Sequence, residues 1–258
     1  MICHKHNKLM YDKYGERYHL KRNNEEDNLW NEYLDIPSMT KLIEKNVNQR
    51  NVLDLGCGSG KFAAKVKSWG GNVIGLDQSS TMIEIARKEH PEIDFYVGIA
   101  EEMPFGDKSF ELIYSCLMVH YVKELSPLFA EVARVIRSFG KFIFSFHHPF
   151  DEVTNKFWNG STYDVTMRPY FHNDEYRWNM FDDMELVSYH HTFETIFTSL
   201  NENGFVVERL IEPTPNHSTR NKHPKFYERT SNYPSFCAIS AIYLPNGTKT
   251  ERAFSLAE

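Results

Sequence analysis

The segment NVLDLGCGSGKF, from Asn51 to Phe62, contains residue types whose spacing could support chemistry. Three glycines, Gly56, Gly58 and Gly60, follow a short apolar run. Glycine inside a helix or strand destabilises it by roughly 0.5 to 1 kcal/mol relative to alanine, so three together indicate a ligand that approaches the backbone. A glycine turn between a strand and a helix brings backbone N–H groups close to a nucleotide-type ligand.

The spacing of these glycines excludes two common nucleotide motifs. The order is G-x-G-x-G, with Asp54 two residues before the first glycine. The dinucleotide fingerprint is G-x-G-x-x-G, and a phosphate-binding P-loop needs a Lys followed by Ser or Thr. Neither pattern is present, so the sequence disfavours both NAD-type and ATP-type sites.

The stretch VLDLGCGSG resembles the first motif of the Rossmann-fold (class I), S-adenosylmethionine-dependent methyltransferases. The similarity continues through VIGLDQSSTMIEIAR, AEEMPFGDKSFELIYS and ARVIRSFGKFIFS, and it covers most of residues 51–146. The order and spacing are particularly those of the branch that acts on small molecules and quinone-type acceptors. The resemblance implies S-adenosylmethionine as cofactor and S-adenosylhomocysteine as product, and we expect no metal.

The resemblance also implies a cofactor site at the ends of the first four strands. Asp54 would orient the glycine loop or, through water, the cofactor's amino group. Asp77 would accept hydrogen bonds from both ribose hydroxyls, the alternative being that it caps the following helix. Ser115 would offer its backbone carbonyl to the amino group. The complete expected set is Asp54, Gly56, Cys57, Gly58, Gly60, Asp77, Gln78, Met82, Ile99, Ala100, Glu101 and Ser115.

Around the adenine, this sequence departs from the pattern of the family. Ile99 stands where the family usually has an acidic residue that accepts from the adenine amino group. The backbone N–H of Ala100 would still meet the adenine, and Glu101 is the residue that could compensate. Gln78 and Met82 would lie beside the ribose and adenine, although Met82 could equally be plain core.

Histidines supply the candidate bases for the acceptor. Methyl transfer from a sulfonium is a direct displacement, and it needs a base only when the acceptor must lose a proton. His120 follows the fourth strand and is the leading candidate, the alternative being that it only shapes the pocket. Some aromatic C-methyltransferases of this family use a His near this position with an Arg one helical turn earlier, where this chain has Cys116. His147 and His148 leave the fifth strand at the same edge, and strand alternation allows at most one to face the acceptor.

The secondary-structure elements that position these residues are indicated by alternating short apolar runs and amphipathic stretches. This pattern predicts an α/β fold with a doubly wound, mostly parallel seven-stranded sheet and helices on both faces. Strands are expected at 51–55, 72–77, 93–98, 110–116 and 140–148, and later at 205–213 and 235–244. Helices are expected at 61–70, 79–90, 126–140 and 192–204, and a Pro-rich polar connection at 213–234.

We expect five segments along the chain. They are an N-terminal helical or lid segment (1–50), the cofactor-binding core (51–150), an aromatic-rich cap insertion (151–190), the C-terminal part of the sheet (191–246) and a tail (247–258). The aromatic residues of 151–190 lack clear periodicity, which favours a substrate-enclosing cap over plain packing. The expected substrate-binding residues are Tyr14, Tyr18, Trp30, Tyr121, Trp158, Tyr170 and Trp178.

Composition limits the partners and the compartment. The 258 residues carry a net charge of −6, which disfavours nucleic acid as a partner. The four cysteines have no CxxC spacing, and the N-terminus has no apolar segment, so we expect a cytoplasmic protein without membrane contact and with a homodimer as one option. Cys3, His4 and His6 could bind a metal, but a terminus with spare histidines is the preferred interpretation.

The sequence therefore predicts a transferase that moves a methyl group from S-adenosylmethionine to a small, aromatic or polyketide-like metabolite. Two alternatives remain open. An RNA or protein methyltransferase requires a basic rim with stacking aromatic residues, for which the sequence offers only local clusters. A non-catalytic cofactor-binding module is the second alternative.

Overall fold

The computed structural model describes residues 2–172, 174–181 and 183–245, and the side chains from residue 5 onward within them. The tail expected at 247–258, and the side chains of Cys3 and His4, lie outside this description. The strands are β1 (Asn51–Leu55), β2 (Asn72–Asp77), β3 (Asp94–Val97), β4 (Phe110–Ser115), β5 (Ile136–His147), β6 (Thr154–Trp158), β7 (Tyr163–Met167), β8 (Glu175–Asn179), β9 (Glu185–Tyr189), β10 (Phe205–Ile211) and β11 (Phe236–Tyr243).

Helices precede, connect and follow these strands. The α-helices are α1 (Ile2–Asn23), α2 (Ile36–Ile43), α3 (Lys61–Ser68), α4 (Ser80–Glu89), α5 (Leu125–Val135), α6 (Pro149–Glu152), α7 (Phe193–Glu202), α8 (Thr219–Lys222) and α9 (Pro224–Asn232). A π-helical turn spans Asn31–Asp35, and short 3-10 turns span Glu44–Asn46 and Val119–Tyr121. Among the residues that the structure describes, no helix has the length and apolar character needed to cross a membrane.

Seven strands form the central sheet, in the order β10-β11-β5-β4-β1-β2-β3. Strands β1 to β5 are parallel where they pair, and β11 runs antiparallel to both β5 and β10. This arrangement confirms the predicted mostly parallel, doubly wound sheet. From β1 the chain continues outward on one side to β2 and β3, and on the other side to β4 and β5. The carboxyl ends of β1 and β4 therefore border the crevice where such sheets bind ligands.

Alternation along the strands places the core on both faces of the sheet. Val52 packs on the face covered by α2, α3 and α4, whereas its neighbours Leu53 and Leu55 pack on the face covered by α5 and α7. In β5, Phe142 and Phe144 lie on the same face of the sheet as Leu53, and Ile143 lies on the same face as Val52. The period of two is that of a strand buried on both sides, as the apolar runs predicted.

One predicted helix is too long at its C-terminal end. The sequence places a helix over 126–140, but α5 ends at Val135 and β5 begins at Ile136, which pairs with Phe110. Phe139 has a φ of 63° before Gly140, so the turn lies inside the expected helix. The apolar stripe continues through Ile136, and pairing with β4 overrides the helical pattern there.

Two segments expected to lack regular structure contain it. Residues 151–190 form two antiparallel hairpins, β6–β7 and β8–β9, and the polar connection at 213–234 contains α8 and α9. In β8 the exposed and half-buried residues alternate, but the half-buried ones are aromatic and the exposed ones are Glu, Arg and Asn. In α9, Pro224 occupies the first turn and Phe226 is buried. The alternation in β8 and the apolar face of α9 each cover only a few residues, and the Pro and polar residues around them predict a loop.

Helix α1 contacts α4 and β9 beside the carboxyl ends of the central strands. The Asn7 side chain donates to the Val187 carbonyl oxygen at 2.8 Å and accepts from the Val187 N–H at 2.9 Å. The Asp12 carboxylate accepts from the Ser79 hydroxyl at 2.7 Å, at the start of α4. These buried and half-buried bonds hold the N-terminal helix between the core and the second hairpin.

Candidate active site

Backbone N–H groups of the glycine loop after β1 donate hydrogen bonds to the end of β2. The N–H groups of Gly56 and Cys57 both donate to the Leu76 carbonyl, at 2.7 and 3.0 Å, and the N–H of Gly58 donates to Asp77 Oδ2 at 2.9 Å. These three amides are therefore not available to a ligand, contrary to the expectation from the glycine pattern. The φ of Gly56 is +78°, and a Cβ there would lie 2.8 Å from Met118 Cγ, so glycine is required for conformation and close packing.

Asp77 ends β2 and joins the loop to the next helix. Its Oδ2 accepts from Gly58 and its Oδ1 accepts from the Ser79 N–H at 2.9 Å. Burial raises the pKa of this half-buried carboxyl. Ser79, not Asp77, caps α4, since the Ser79 side chain accepts from the Met82 N–H at 3.2 Å. Each carboxylate oxygen can accept one more hydrogen bond.

A cavity beside this loop, which we call the glycine-loop cavity, brings together most of the predicted cofactor residues. Ten predicted residues line it: Tyr18, Gly56, Gly58, Asp77, Gln78, Met82, Ile99, Ala100, Glu101 and Tyr121. Its other lining residues were not predicted: Tyr11, Leu55, Leu76, Gly98, Cys116, Leu117, Met118 and Val122. Ile99 therefore lies at the wall that the resemblance assigned to adenine, and Glu101 lies in the same wall.

Four predicted cofactor residues lie behind this cavity rather than in its wall. Asp54 is buried, its Oδ2 has no hydrogen-bond partner among the described residues, and burial raises its pKa to about 7. Cys57 packs with the core against α3, and burial raises the pKa of its thiol. Gly60 precedes α3, where a Cβ would lie 2.6 Å from Phe95 Cζ. Ser115 is fully buried at the end of β4. These four residues support the lining residues of the cavity and do not themselves face it.

A larger cavity of about 720 Å³ adjoins the first, and we call it the histidine cavity. The two cavities share the residues Tyr11, Tyr18, Cys116, Leu117 and Tyr121. The predicted residues that line the histidine cavity are Tyr18, Trp30, His120, Tyr121, His147 and Trp178. The two cavities therefore adjoin at these five residues.

His120 and His147 stack in the histidine cavity. Their ring centroids are 3.8 Å apart and the planes differ by 13°. His120 is buried, and neither of its ring nitrogens has a hydrogen-bond partner in the part of the chain that the structure describes. Burial lowers the pKa of His120 well below its usual range and lowers the pKa of His147 to about 4. Both rings are neutral at pH 7 and can accept hydrogen bonds or protons.

His148 lies apart from this pair and lines neither cavity. Its Nδ1 accepts from the Phe150 N–H at 3.0 Å, and its Nε2 lies 2.8 Å from Glu212 Oε1. His148 therefore caps α6 and pairs with Glu212, and the structure does not support it as a catalytic candidate. Cys237 lies near this pair, but the bond to Nδ1 leaves the proton on Nε2, where a metal would need a lone pair.

Three predicted substrate-binding residues also lie away from both cavities. The Tyr14 hydroxyl donates to Asp183, Trp158 packs on Tyr163 beside the turn of the first hairpin, and the Tyr170 ring packs against His190. Tyr11, which was not predicted, lies on the cavity face with Tyr18, their rings 5.2 Å apart. The seven-residue spacing of Tyr11 and Tyr18 places both on one helix face, but Tyr14 fits the same face by spacing, so the sequence alone does not select Tyr11.

Comparison with known proteins finds a family match for the central part of the chain. A family model described as a methyltransferase domain matches residues 53–144. Demethylmenaquinone methyltransferase of Chlorobaculum parvum is 35% identical over 115 residues, which are 44% of this chain and 47% of that protein. Malonyl-[acyl-carrier protein] O-methyltransferase of Yersinia pestis is 35% identical over 94 residues, 36% of this chain and 35% of that protein. The chain thus spans less than half the length of these two curated relatives.

The fold has a solved relative along most of its length. The crystal structure of an S-adenosylmethionine-dependent methyltransferase from Mesorhizobium loti superimposes with a TM-score of 0.73 at 26% identity. The superposition covers 80% of this chain and 96% of that one. The similarity therefore extends beyond residues 53–144.

Proposed function

We propose, from the premise that residues 53–144 form a Rossmann-fold S-adenosylmethionine-dependent methyltransferase domain, that this chain transfers a methyl group to a small-molecule acceptor. One observation carries the proposal. The glycine-loop cavity and the histidine cavity adjoin along five shared residues. A direct displacement requires donor and acceptor to meet in line, and two adjoining cavities support such an arrangement.

The residues of the glycine-loop cavity fit S-adenosylmethionine, whose sulfonium makes its methyl group electrophilic. Asp77 retains one acceptor position on each oxygen, and a ribose has two neighbouring hydroxyls to donate. The unpartnered Oδ2 of Asp54 fits a water that reaches the cofactor's amino group. Leu76, Met82 and Ile99 supply an apolar wall for the adenine.

The histidine cavity fits an acceptor of aromatic or polyketide-like size. Its volume of about 720 Å³ lies in the range of small-molecule pockets. Trp30 and Trp178 line it from the N-terminal segment and the second hairpin. We accordingly propose that 1–50 is a lid and 151–190 a cap on the core of 51–150 and 191–246. The names of the two curated relatives, a demethylmenaquinone methyltransferase and a malonyl-[acyl-carrier protein] O-methyltransferase, also support a metabolite acceptor.

The enclosing walls favour a metabolite over RNA, because both the N-terminal segment and the second hairpin line the cavity and would have to separate for a polymer to enter. Cytoplasmic location, the absence of nucleic-acid contact and a homodimer remain predictions from the sequence. The RNA alternative predicts affinity for tRNA or rRNA that falls steeply with salt.

Calorimetric titration with S-adenosylmethionine and S-adenosylhomocysteine tests the first half of the proposal. A panel of phenols, quinols and enolic polyketides, with release of S-adenosylhomocysteine as readout, tests the second. We expect micromolar or tighter cofactor binding and turnover with part of the panel. Absence of cofactor binding would overturn the proposal, and binding without turnover on any acceptor would favour the non-catalytic module.

A further inference from the structure

A chain of hydrogen bonds runs from His147 in the histidine cavity into the cap. His147 Nδ1 lies 3.2 Å from the Tyr176 hydroxyl, and this hydroxyl lies 3.1 Å from Glu152 Oε1. Glu152 Oε2 lies 2.8 Å from His190 Nδ1, and His190 Nε2 lies 2.8 Å from the Tyr170 carbonyl oxygen. His147, Tyr176 and Glu152 all line the histidine cavity.

The partners at the two ends set the direction of each hydrogen bond. The Tyr170 carbonyl can only accept, so His190 Nε2 carries a proton. One proton lies between His190 Nδ1 and Glu152 Oε2, since two bare acceptors would repel each other at 2.8 Å. The single proton of Tyr176 goes to Glu152 Oε1, which accepts whichever of these two groups holds that proton. The Tyr176 oxygen then accepts from His147 Nδ1–H. A neutral imidazole has only one N–H, so His147 Nε2 carries a lone pair.

The surroundings hold the His147 ring in this position. The ring is stacked between His120, at 3.8 Å, and Phe236, at 5.7 Å, with plane angles of 13° in both cases. The Glu152 side chain is 3% exposed and the His190 side chain is fully buried, so the far end of the chain is fixed inside the protein. His147 Nε2 has no hydrogen-bond partner among the described residues, which leaves it to a ligand in the cavity.

We propose that Tyr176 and Glu152 are positioning residues that hold His147 as its Nδ1–H tautomer, so that Nε2 takes a proton from the acceptor during methyl transfer. The inference rests on the proposed function, because the base acts on the acceptor of that reaction. It names the acceptor class as one that must lose a proton, either a hydroxyl group or an acidic C–H.

The protons and electrons of this step balance within the chain. The acceptor atom forms a bond to the methyl carbon, and the methyl–sulfur bond breaks with its electron pair remaining on sulfur. The acceptor's proton moves to His147 Nε2, the Nδ1 proton moves to the Tyr176 oxygen, and the Tyr176 proton moves to Glu152 Oε1. His147 and Tyr176 end neutral, and the Glu152–His190 pair ends with one proton more than it held at the start.

Burial favours this distribution of the proton. It lowers the pKa of His147 to about 4, which opposes a lasting imidazolium, and it raises the pKa of Glu152 to about 7, which favours the neutral acid. His120 lacks any such route, since both of its nitrogens are without partners in the described part of the chain. His147 therefore replaces His120 as the base, and His120 forms the wall against which His147 stacks.

The tautomer of His147 is measurable without a known acceptor. Long-range ¹H–¹⁵N spectra of histidine-labelled protein at pH 7.5 distinguish a protonated from an unprotonated ring nitrogen, and His147→Asn identifies the resonances. We expect a protonated Nδ1 and an unprotonated Nε2 in the wild-type protein. A protonated Nε2 in the wild-type spectrum would overturn the proposal, and this measurement needs no variant to fold.

Tyr176→Phe tests the positioning residue itself. It removes the hydroxyl that accepts from Nδ1, so we expect the Nδ1–H signal to fall and an Nε2–H signal to appear. Tyr163→Phe is the matched control, because the Tyr163 hydroxyl donates to the Lys225 carbonyl and the residue lines neither cavity. We expect the control to keep the wild-type spectrum. A wild-type His147 spectrum in Tyr176→Phe would remove Tyr176 from the proposal.

Titration of the same samples with S-adenosylmethionine separates this inference from the proposed function. Tyr176→Phe is expected to bind the cofactor with wild-type affinity, since Tyr176 does not line the glycine-loop cavity. Failure of every sample to bind would refute the methyltransferase proposal, while the tautomer result would still decide how His147 is held.

Discussion

Replacing Asp77 by asparagine tests the proposed cofactor site most directly, because its carboxylate has two kinds of partner. In the structure it accepts from the N–H groups of Gly58 and Ser79. In the proposal it also accepts from two ribose hydroxyls. Asparagine keeps the shape of the side chain but replaces one acceptor oxygen by an NH₂ donor.

The expected loss follows from that one atom. Whichever way the amide is turned, one backbone N–H meets a donor and one ribose hydroxyl loses its acceptor. A hydrogen bond to a charged acceptor contributes about 1.5 to 3 kcal/mol, which corresponds to roughly a 10- to 150-fold higher Kd for S-adenosylmethionine. The unpaired amide costs about 1 to 3 kcal/mol of stability in the absence of cofactor.

Calorimetry for the Kd and urea unfolding for stability separate the two effects. Asp94→Asn is the control, because Asp94 is exposed at the opposite end of its strand from this site, and we expect neither quantity to change there. If Asp77→Asn loses stability but keeps its Kd within twofold, Asp77 only holds the glycine loop and the assignment to the ribose is refuted.

Three further predictions follow from buried groups. Burial raises the pKa of Asp54 from 3.8 to about 7, so the free energy of unfolding of the wild-type protein falls as pH rises through this range. Between pH 5 and pH 8, Asp54→Asn should abolish roughly 3 kcal/mol of that fall in urea unfolding. An equal fall in both proteins would contradict the prediction. His120→Leu removes two unpartnered buried nitrogens, so stability should stay within about 1 kcal/mol while turnover falls and cofactor affinity is kept; unchanged turnover would exclude His120 from the acceptor site. Asn7→Ala leaves the Val187 amide and carbonyl unpaired, and hydrogen exchange in α1 should accelerate by about tenfold or more; unchanged exchange would show that other contacts hold the helix.

The central strands were predictable because their limits are set by local chemistry. β1 and β2 begin and end at the predicted residues, 51–55 and 72–77. The helix between them ends before Gly70, whose φ is +90°, and the next helix begins after the N-cap Ser79. Capping residues and glycines with positive φ act within a few residues, so one sequence contains the whole signal.

The site was predictable only where the same local chemistry builds it. Gly56, Gly58 and Asp77 follow from a motif within one strand–turn–helix–strand unit. The choice of Tyr11 over Tyr14, by contrast, depends on where α1 lies against β9, which contacts across the chain decide. Tyr176 belongs to β8, where aromatic and polar residues alternate over only five residues, too short a run to predict the strand.

This division between local and long-range signals also determines what the family relationship can say about function. Residues 53–144 carry the glycine loop and Asp77, so the shared domain accounts for the methyl donor. The histidine cavity takes Tyr18 from α1, His147 from just beyond the matched range, and Tyr176 from the second hairpin. Under the proposed function, acceptor choice therefore depends on segments that the family model does not include. Exchange of the 151–190 segment between this chain and the Mesorhizobium loti relative should change which acceptors are methylated while leaving the Kd for S-adenosylmethionine within about threefold. A change in cofactor affinity with unchanged acceptor choice would show that the cap belongs to the donor half of the site.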